Sequence, residues 1–231
     1  MNFFRKQKSN YDELLNKIPI SPNTVFEIGM KDGLDTVLLS KRFKNSKIYC
    51  YEANPLNDKL IKKNLRFRRN VFYENYGLGE TEGKKTFFVY TPNKVFNYET
   101  IGASSFFNRP DEENITELED IQISTLYKEI LEKEINTIDI LLMDVQGYEL
   151  NILKGAKEFI SKISYIIMET PKPEEVKLKN SVENNLEIND YIGAPSYSEV
   201  NSFMTQHNFS LIDSVDENLW ETNNLYKNNI L

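Results

Sequence analysis

The chain has 231 residues, 40% of them hydrophobic and 12% aromatic, which suits one sizeable globular domain and is too apolar for a disordered chain. A net charge of −7 argues against non-specific nucleic-acid binding, which needs a basic face. One cysteine, Cys50, and one histidine, His207, exclude an intramolecular disulfide, a Cys/His zinc cluster and any Ser–His–Asp scheme that does not use His207.

The first residues, MNFFRKQKSNYDELL, are basic and lack the apolar stretch of a secretory signal. No apolar run approaches the ~20 residues of a membrane span. The expectations are an N-terminal extension over 1–23 whose FFRK piece is an exposed terminus rather than a membrane contact, a single domain over 24–231 and a cytoplasmic location. Residues 25–28 (VFEI) read as a short buried strand cut off by Gly29. From Leu34 the apolar residues Leu34, Val37, Leu38 and Phe43 follow helical spacing. KIYCY (47–51) is a second strand ending at Glu52, and Pro55 suits the first turn of a helix whose inner face is Leu56, Leu60, Ile61 and Leu65. Val71–Tyr73 gives a third strand, so the first third reads βαβαβ, a parallel sheet with helices on its faces.

The middle breaks the pattern. Residues 77–99, with Gly77, Gly79, Gly83 and TFFVY, read as a local antiparallel excursion, and 102–114 as a loop. A helix is expected from about Ser124. IDILLMD (138–144) is near-continuously apolar, typical of a strand buried on both faces. A helix over Leu150–Ile160 and a buried strand Tyr165–Met168 ending at Glu169 follow. Residues 171–195, rich in Pro, Lys, Glu and Asn, read as a mobile loop or lid, or as a surface insertion. Ser198 is the expected cap of a last helix with Val200, Phe203, Met204 and His207 on one stripe and Asn208 in the left-handed position after it. Phe209–Ile212 and Asn224–Lys227 are the expected closing strands.

In a parallel sheet, ligands gather outside the carboxyl ends of the strands. Four expected strands end in a carboxylate: Glu27, Glu52, Asp144 and Glu169. The turn VFEIGMKDG has the form E-x-G-x-x-x-G, not the G-x-G-x-x-G that brings bare backbone N–H groups against a pyrophosphate. A carboxylate there repels phosphate and welcomes a cationic or ammonium-bearing ligand such as S-adenosylmethionine. Gly29, with no Cβ, lets the backbone approach such a ligand. An ordinary strand-to-helix turn is the alternative. Glu52, at the end of the next strand, is placed to accept hydrogen bonds from ribose hydroxyls, or is simply a surface acid. Asp144 is placed to take a proton from a substrate hydroxyl, or to cap the following helix, and Glu149 reads as the acid that opens that helix.

The chain resembles the FkbM family of S-adenosylmethionine-dependent methyltransferases. The resemblance is carried by FEIGMKDG, YEANP (51–55), YGLGETEG (76–83), Ser104–Ser105, IDILLMDVQGYELNILKGA, IIMET (166–170) and YIGAPSYSEV with HNFSLID. It implies a Rossmann-like class I methyltransferase fold, an α/β domain with a mostly parallel seven-stranded sheet and helices on both faces. It also implies methyl transfer from S-adenosyl-L-methionine to a hydroxyl on a sugar, glycan or other small molecule. On these matches the candidate cofactor-binding residues are Glu27, Gly29, Met30, Lys31, Gly33, Glu52, Ala53, Asn54, Tyr76, Ser104 and Asp144. The candidate catalytic residues are Asp144 and Glu169, and no metal ligand set is expected. Glu27 replaces the family's more usual Asp, Gln146 its usual Glu, and Tyr127 a common Asp. A non-catalytic adenosine-ligand-binding or assembly module that retains the fold is the alternative that Gln146 favours. A nicotinamide oxidoreductase is disfavoured by the missing glycine fingerprint.

Overall fold

The computed structural model describes residues 11–90, 103–109, 115–188 and 190–231. The main sheet begins with β1 (Thr24–Ile28), β2 (Lys47–Tyr51) and β3 (Val71–Glu74), all parallel and linked by α2 (Leu34–Arg42) and α3 (Asp58–Leu65). On the other side of β1 lie β7 (Ile138–Met143) and β8 (Ile163–Pro171), also parallel, with α5 (Glu149–Lys154) between them. The chain closes with α7 (Tyr197–Gln206), β9 (Phe209–Asp216) and β10 (Glu221–Asn228). β10 inserts antiparallel between β8 and β9, giving the order β3-β2-β1-β7-β8-β10-β9.

Strand periodicity sorts the core onto two faces. Phe26 and Ile28 join Tyr51, Leu141, Met143 and Met168 beneath α5 and α7. Val25 joins Ile48, Cys50, Ile140 and Leu142 beneath α2 and α3. That second face also takes Tyr11, Leu14, Leu15 and Ile18 around the short helix α1 (Asp12–Leu15). Residues 11–18 of the extension therefore pack into the core; the FFRK terminus expected to be exposed lies within residues 1–10, outside the described residues.

A second sheet carries β4 (Gly77–Gly79), β5 (Gly83–Tyr90) and β6 (Ile115–Thr125) in the order β4-β6-β5, with β5 antiparallel to β6 and β4 parallel to it. β5 is the expected antiparallel excursion, and its partner β6 is new. The eleven residues of β6 are mostly exposed or half-exposed, so ITELEDIQIST carries no apolar alternation to announce a strand. Thr125 ends it and caps α4 (Leu126–Glu132) through a hydrogen bond from the Lys128 N–H, so the helix begins two residues after Ser124. Within the expected loop 102–114, residues 103–109 are irregular apart from a bridge between Ser105 and Phe88, and the rest lie outside the described residues.

Two further expectations change. Residues 171–195 contain an eleven-residue helix, α6 (Glu174–Asn184), whose Lys177 is buried and paired with Glu174 at 2.9 Å and Asp190 at 2.7 Å. Its surface-like composition hid a helix that anchors itself through a charge. Ser196, not Ser198, caps α7, in a reciprocal capping box with Glu199. Asn208 does take the left-handed conformation, at φ 63°.

Candidate functional site

The carboxyl ends of β1, β2 and β7 open into one cavity of about 310 Å³, within the range of small-molecule sites. Glu27, Gly29, Met30, Lys31, Glu52, Ala53, Tyr76, Ser104 and Asp144 line it. Gly33, Asn54 and Glu169 are not among its lining residues. Gly33 holds a left-handed turn, φ 79°, just before α2. The Asn54 side chain instead accepts from the Leu56 N–H at the start of a 3₁₀ turn over Pro55–Asn57.

Glu52 is fixed by the backbone. One carboxylate oxygen accepts from the Lys31 N–H and the other from the Asn54 N–H, each at 2.8 Å. Asn54 thus positions Glu52 without touching the cavity. Burial pushes Glu52 up to about 7, against the pull of those N–H donors. The Met30 N–H pulls in the same direction, and the carboxylate's roughly four lone-pair sites still leave acceptor capacity. Glu27 lies deeper, 3% exposed, with the Cys50 thiol 3.6 Å away, and burial pushes it up to about 8.

Gly29 lines the cavity, and its backbone also meets a second constraint that the sequence does not disclose. Its φ is +82°, and a Cβ there would overlap the Asp144 carbonyl. The missing side chain lets the β1 and β7 ends pack on each other, where the Asp144 N–H also donates to the Ile28 carbonyl at 2.9 Å.

Asp144 sits in a side-chain network. The Gln146 amide donates to Asp144 Oδ1 at 2.6 Å and to Glu169 Oε2 at 3.0 Å. Tyr191 places its hydroxyl 2.6 Å from the Ala103 carbonyl and 3.0 Å from Gln146 Oε1. Burial raises Asp144 to about 6, while the Gln146 amide pulls it down and Glu217 pushes it further up. Burial and then Asp144 raise Glu169 well above the carboxylate range. Asp144 does not cap α5; Glu149 opens that helix and accepts from the Val145 N–H at 3.0 Å.

Two lining residues, Tyr11 and Glu217, carry no local signal in the sequence and arrive from opposite ends of the chain. Phe87 and Phe106 belong to a stretch, 87–107, whose richness in Tyr and Phe is visible in the sequence, and come from the small sheet and its flank. Behind Tyr76, the buried Glu129 accepts from Tyr76, Tyr51, Ser124 and Lys133 at 2.7–3.1 Å, and this wall was also unforeseen. His207 lies at the end of α7 against Phe203 and does not line the cavity. Among the described residues no cluster of His, Cys, Asp and Glu could hold a metal ion. No helix among them is long and apolar enough to cross a membrane.

The acids lining the cavity are Glu27, Asp32, Asp35, Glu52, Asp144 and Glu217, against one lysine, Lys31. That charge balance suits a cationic ligand without phosphate.

The sheet order is that of class I methyltransferases. The methyltransferase FkbM domain model matches residues 27–211. No curated protein matches the chain in sequence. Among solved structures, the FkbM methyltransferase of Methylobacillus flagellatus KT is similar over 90% of this chain and 44% of its own, with 15% identity and a TM-score of 0.49. Aeropyrum pernix fibrillarin, with S-adenosyl-L-methionine bound, is similar over 88% and 66%, with 12% identity and a TM-score of 0.49. M. capricolum TrmK, in complex with S-adenosyl-homocysteine, is similar over 90% and 62%, with 12% identity and a TM-score of 0.48. The chain therefore spans between 44% and 66% of these three structures. With four-fifths of its length inside the matched domain, the chain belongs to the FkbM methyltransferase family.

Proposed function

We propose that the chain is an S-adenosyl-L-methionine-dependent O-methyltransferase acting on a hydroxyl of a sugar, glycan or other small molecule. The observation that carries this reading is the meeting of Glu27, Glu52 and Asp144 in one acid-rich cavity. When bound there, S-adenosylmethionine supplies a methyl group on positively charged sulfur. Glu52 would accept from ribose hydroxyls with its remaining acceptor capacity and Asp144 would offset positive charge, while Glu27, protonated in the ligand-free chain, would add to that once a cation draws off its proton. Gly29, Met30, Lys31, Ala53, Tyr76 and Ser104, which line the same cavity, would enclose the ligand. Much of the acceleration then comes from holding donor and acceptor together.

An alcohol must lose its proton as it is methylated, and Asp144 is the residue for that step, since it lines the cavity and titrates near neutrality. Glu169 lies behind Gln146 and acts by positioning rather than by touching the acceptor. The net charge of −7 supports a small-molecule or glycan acceptor over a nucleic acid.

Thermal-shift titration with S-adenosylmethionine, S-adenosylhomocysteine and NAD tests the cofactor, because a ligand of the folded state raises its stability. A response to NAD alone overturns the assignment. Isotope-labelled methyl donor, offered with small-molecule and glycan extracts, tests the transfer. Asp144→Asn is expected to abolish labelling while leaving a cofactor thermal shift that is reduced but not lost. The second reading, a binding module without catalysis, rests on the Gln146 amide that occupies an Asp144 oxygen at 2.6 Å. Binding without labelling of any pool would favour it.

A further inference from the structure

Residues 41–47 (KRFKNSK) and 58–73 (DKLIKKNLRFRRNVFY) hold ten of the chain's 28 Lys and Arg but only one of its 35 Asp and Glu, Asp58. A chain of net charge −7 thus carries over a third of its basic residues in two short segments that are nearly free of acids. The two segments are neighbours in space. Leu39 of α2 and Ile61 of α3 share one core cluster, and at the far ends of these helices the Ser40 hydroxyl donates to Asn70 at 2.6 Å. The Asn70 amide donates in turn to the carbonyls of Phe43 and Ser46.

Nine of the ten cations are exposed, Arg68 being half-buried, and most are uncommitted. Arg42 pairs with Asp12 and Lys62 with Asp58, whereas Lys59, Lys63, Arg66 and Arg69 have no ion pair among the described residues. Interleaved with them, Leu56, Leu60 and Phe67 present large apolar side chains to solvent, 64%, 44% and 78% exposed. The inner face of α3 is already spent on Ile61 and Leu65, so this outer row packs on nothing in the core. A basic surface carrying projecting apolar side chains is the composition of a helix that lies in a lipid headgroup layer.

We propose that the outer face of α3 and the turn after it, flanked by the end of α2, dock peripherally on an anionic lipid bilayer. Charge steers the approach and the apolar row anchors it. The remaining, acidic body of the chain is repelled by the same membrane, which fixes one orientation. A nucleic acid would also meet the cations, but Leu56 and Leu60 have no π-face for a base to stack on. The Arg66 guanidinium already lies 5.0 Å above the Phe67 ring. These two features favour lipid.

The test is co-sedimentation of the full chain with phosphatidylcholine vesicles, with and without phosphatidylserine. Binding is expected only with phosphatidylserine and is expected to fall as salt is raised. The triple variant Lys59→Glu/Lys63→Glu/Arg66→Glu should weaken it by about 100-fold or more. Leu60→Ser/Phe67→Ser should weaken it by about 10-fold or more and leave a residue of binding steeper in its salt dependence. Lys84→Glu/Lys179→Glu, on other surfaces, should leave it unchanged. All of these side chains are exposed, and circular dichroism verifies that the variants fold. Should a variant unfold, the wild-type phosphatidylserine and salt dependence still decides. Absence of phosphatidylserine-dependent sedimentation overturns the proposal, as does equal binding by the triple variant. Binding of single-stranded or duplex nucleic acid in place of vesicles overturns it in favour of that partner. None of these outcomes depends on methyl transfer.

Discussion

The two carboxylates at the heart of the cavity are held in opposite ways. Glu52 is gripped by backbone N–H groups from residues 31 and 54, whose positions follow from how the chain leaves β1 and β2. Asp144 is gripped by a side chain, Gln146, which is itself in reach of Tyr191, 45 residues further on. A backbone grip fixes where a carboxylate sits and tolerates changes of neighbouring side chains. A side-chain grip fixes its charge and fails when one link is cut.

The two regions touch at Gly29, so a substitution there strikes both. Gly29→Ala forces a Cβ into the Asp144 carbonyl at a φ of +82°. Backbone on both sides has to move, because no flexible side chain is there to yield. The expected loss is about 3 kcal/mol in urea unfolding, with the cofactor thermal shift lost as well. A stable Gly29→Ala protein would show that the two strand ends are not rigidly packed.

Next in size is Glu52→Gln, which breaks the backbone-held side alone. Glutamine offers one acceptor oxygen, so the Lys31 or the Asn54 N–H must face an NH₂ group instead. It also withdraws the charge offered to ribose. S-adenosylmethionine binding is expected to weaken by roughly 100-fold, about 2–3 kcal/mol, as hydrogen bonds to a charged group imply. Calorimetry reads this directly. Unchanged affinity would remove Glu52 from the cofactor site.

This asymmetry explains what the sequence discloses. The main sheet is legible because strand-length apolar runs, glycine stops and helical spacing are local. The strand-end acids are legible for the same reason, since Glu27, Glu52 and Asp144 each close such a run. Glu169 also closes one, yet it lies behind Gln146 and outside the cavity lining. Asn54 and Gly33 stand in the right motifs but support the site from behind, a distinction that only coordinates draw. The strand β6 is hidden by its exposed, charged faces, and α6 by a composition that looks like loop. Tyr11, Glu217 and Tyr191 are invisible because their contacts to the site span most of the chain or cross between segments without regular pattern.

A smaller effect separates the buried acids by pH. Burial lifts Glu27 from an ordinary 4.5 to about 8. The folded chain therefore holds a proton there that the unfolded chain has released. The contribution of Glu27 to stability is intact below about pH 4.5 and is lost as pH rises through about 8. Glu52, raised to about 7, adds loss in the same direction. Chemical unfolding of the ligand-free chain from about pH 5 to about pH 9 should show stability falling. Glu27→Gln, which cannot ionise, should recover about 2 kcal/mol at the alkaline end. A slope of the opposite sign would mean that these carboxyls are not buried as described.

The smallest expected effect tests the side-chain grip. Tyr191→Phe keeps the ring, which the Arg109 guanidinium overlies at 4.6 Å, and removes only the hydroxyl between the Ala103 carbonyl and Gln146 Oε1. A loss of about 1 kcal/mol is expected from one buried hydrogen bond. The more informative readout is the pH dependence of unfolding. With Oε1 released, Gln146 can turn its amide away from Asp144 and Glu169, two carboxyls that already share a strained electrostatic neighbourhood. Asp144 then loses the contact that pulls its titration down, and it should retain its proton to a higher pH than in the parent chain. Glu52, held by backbone on the other side of Gly29, should titrate as before. A Tyr191→Phe protein that loses stability without moving Asp144 would mean that Gln146 is held in place by packing, and that the grip on Asp144 is as local as the grip on Glu52.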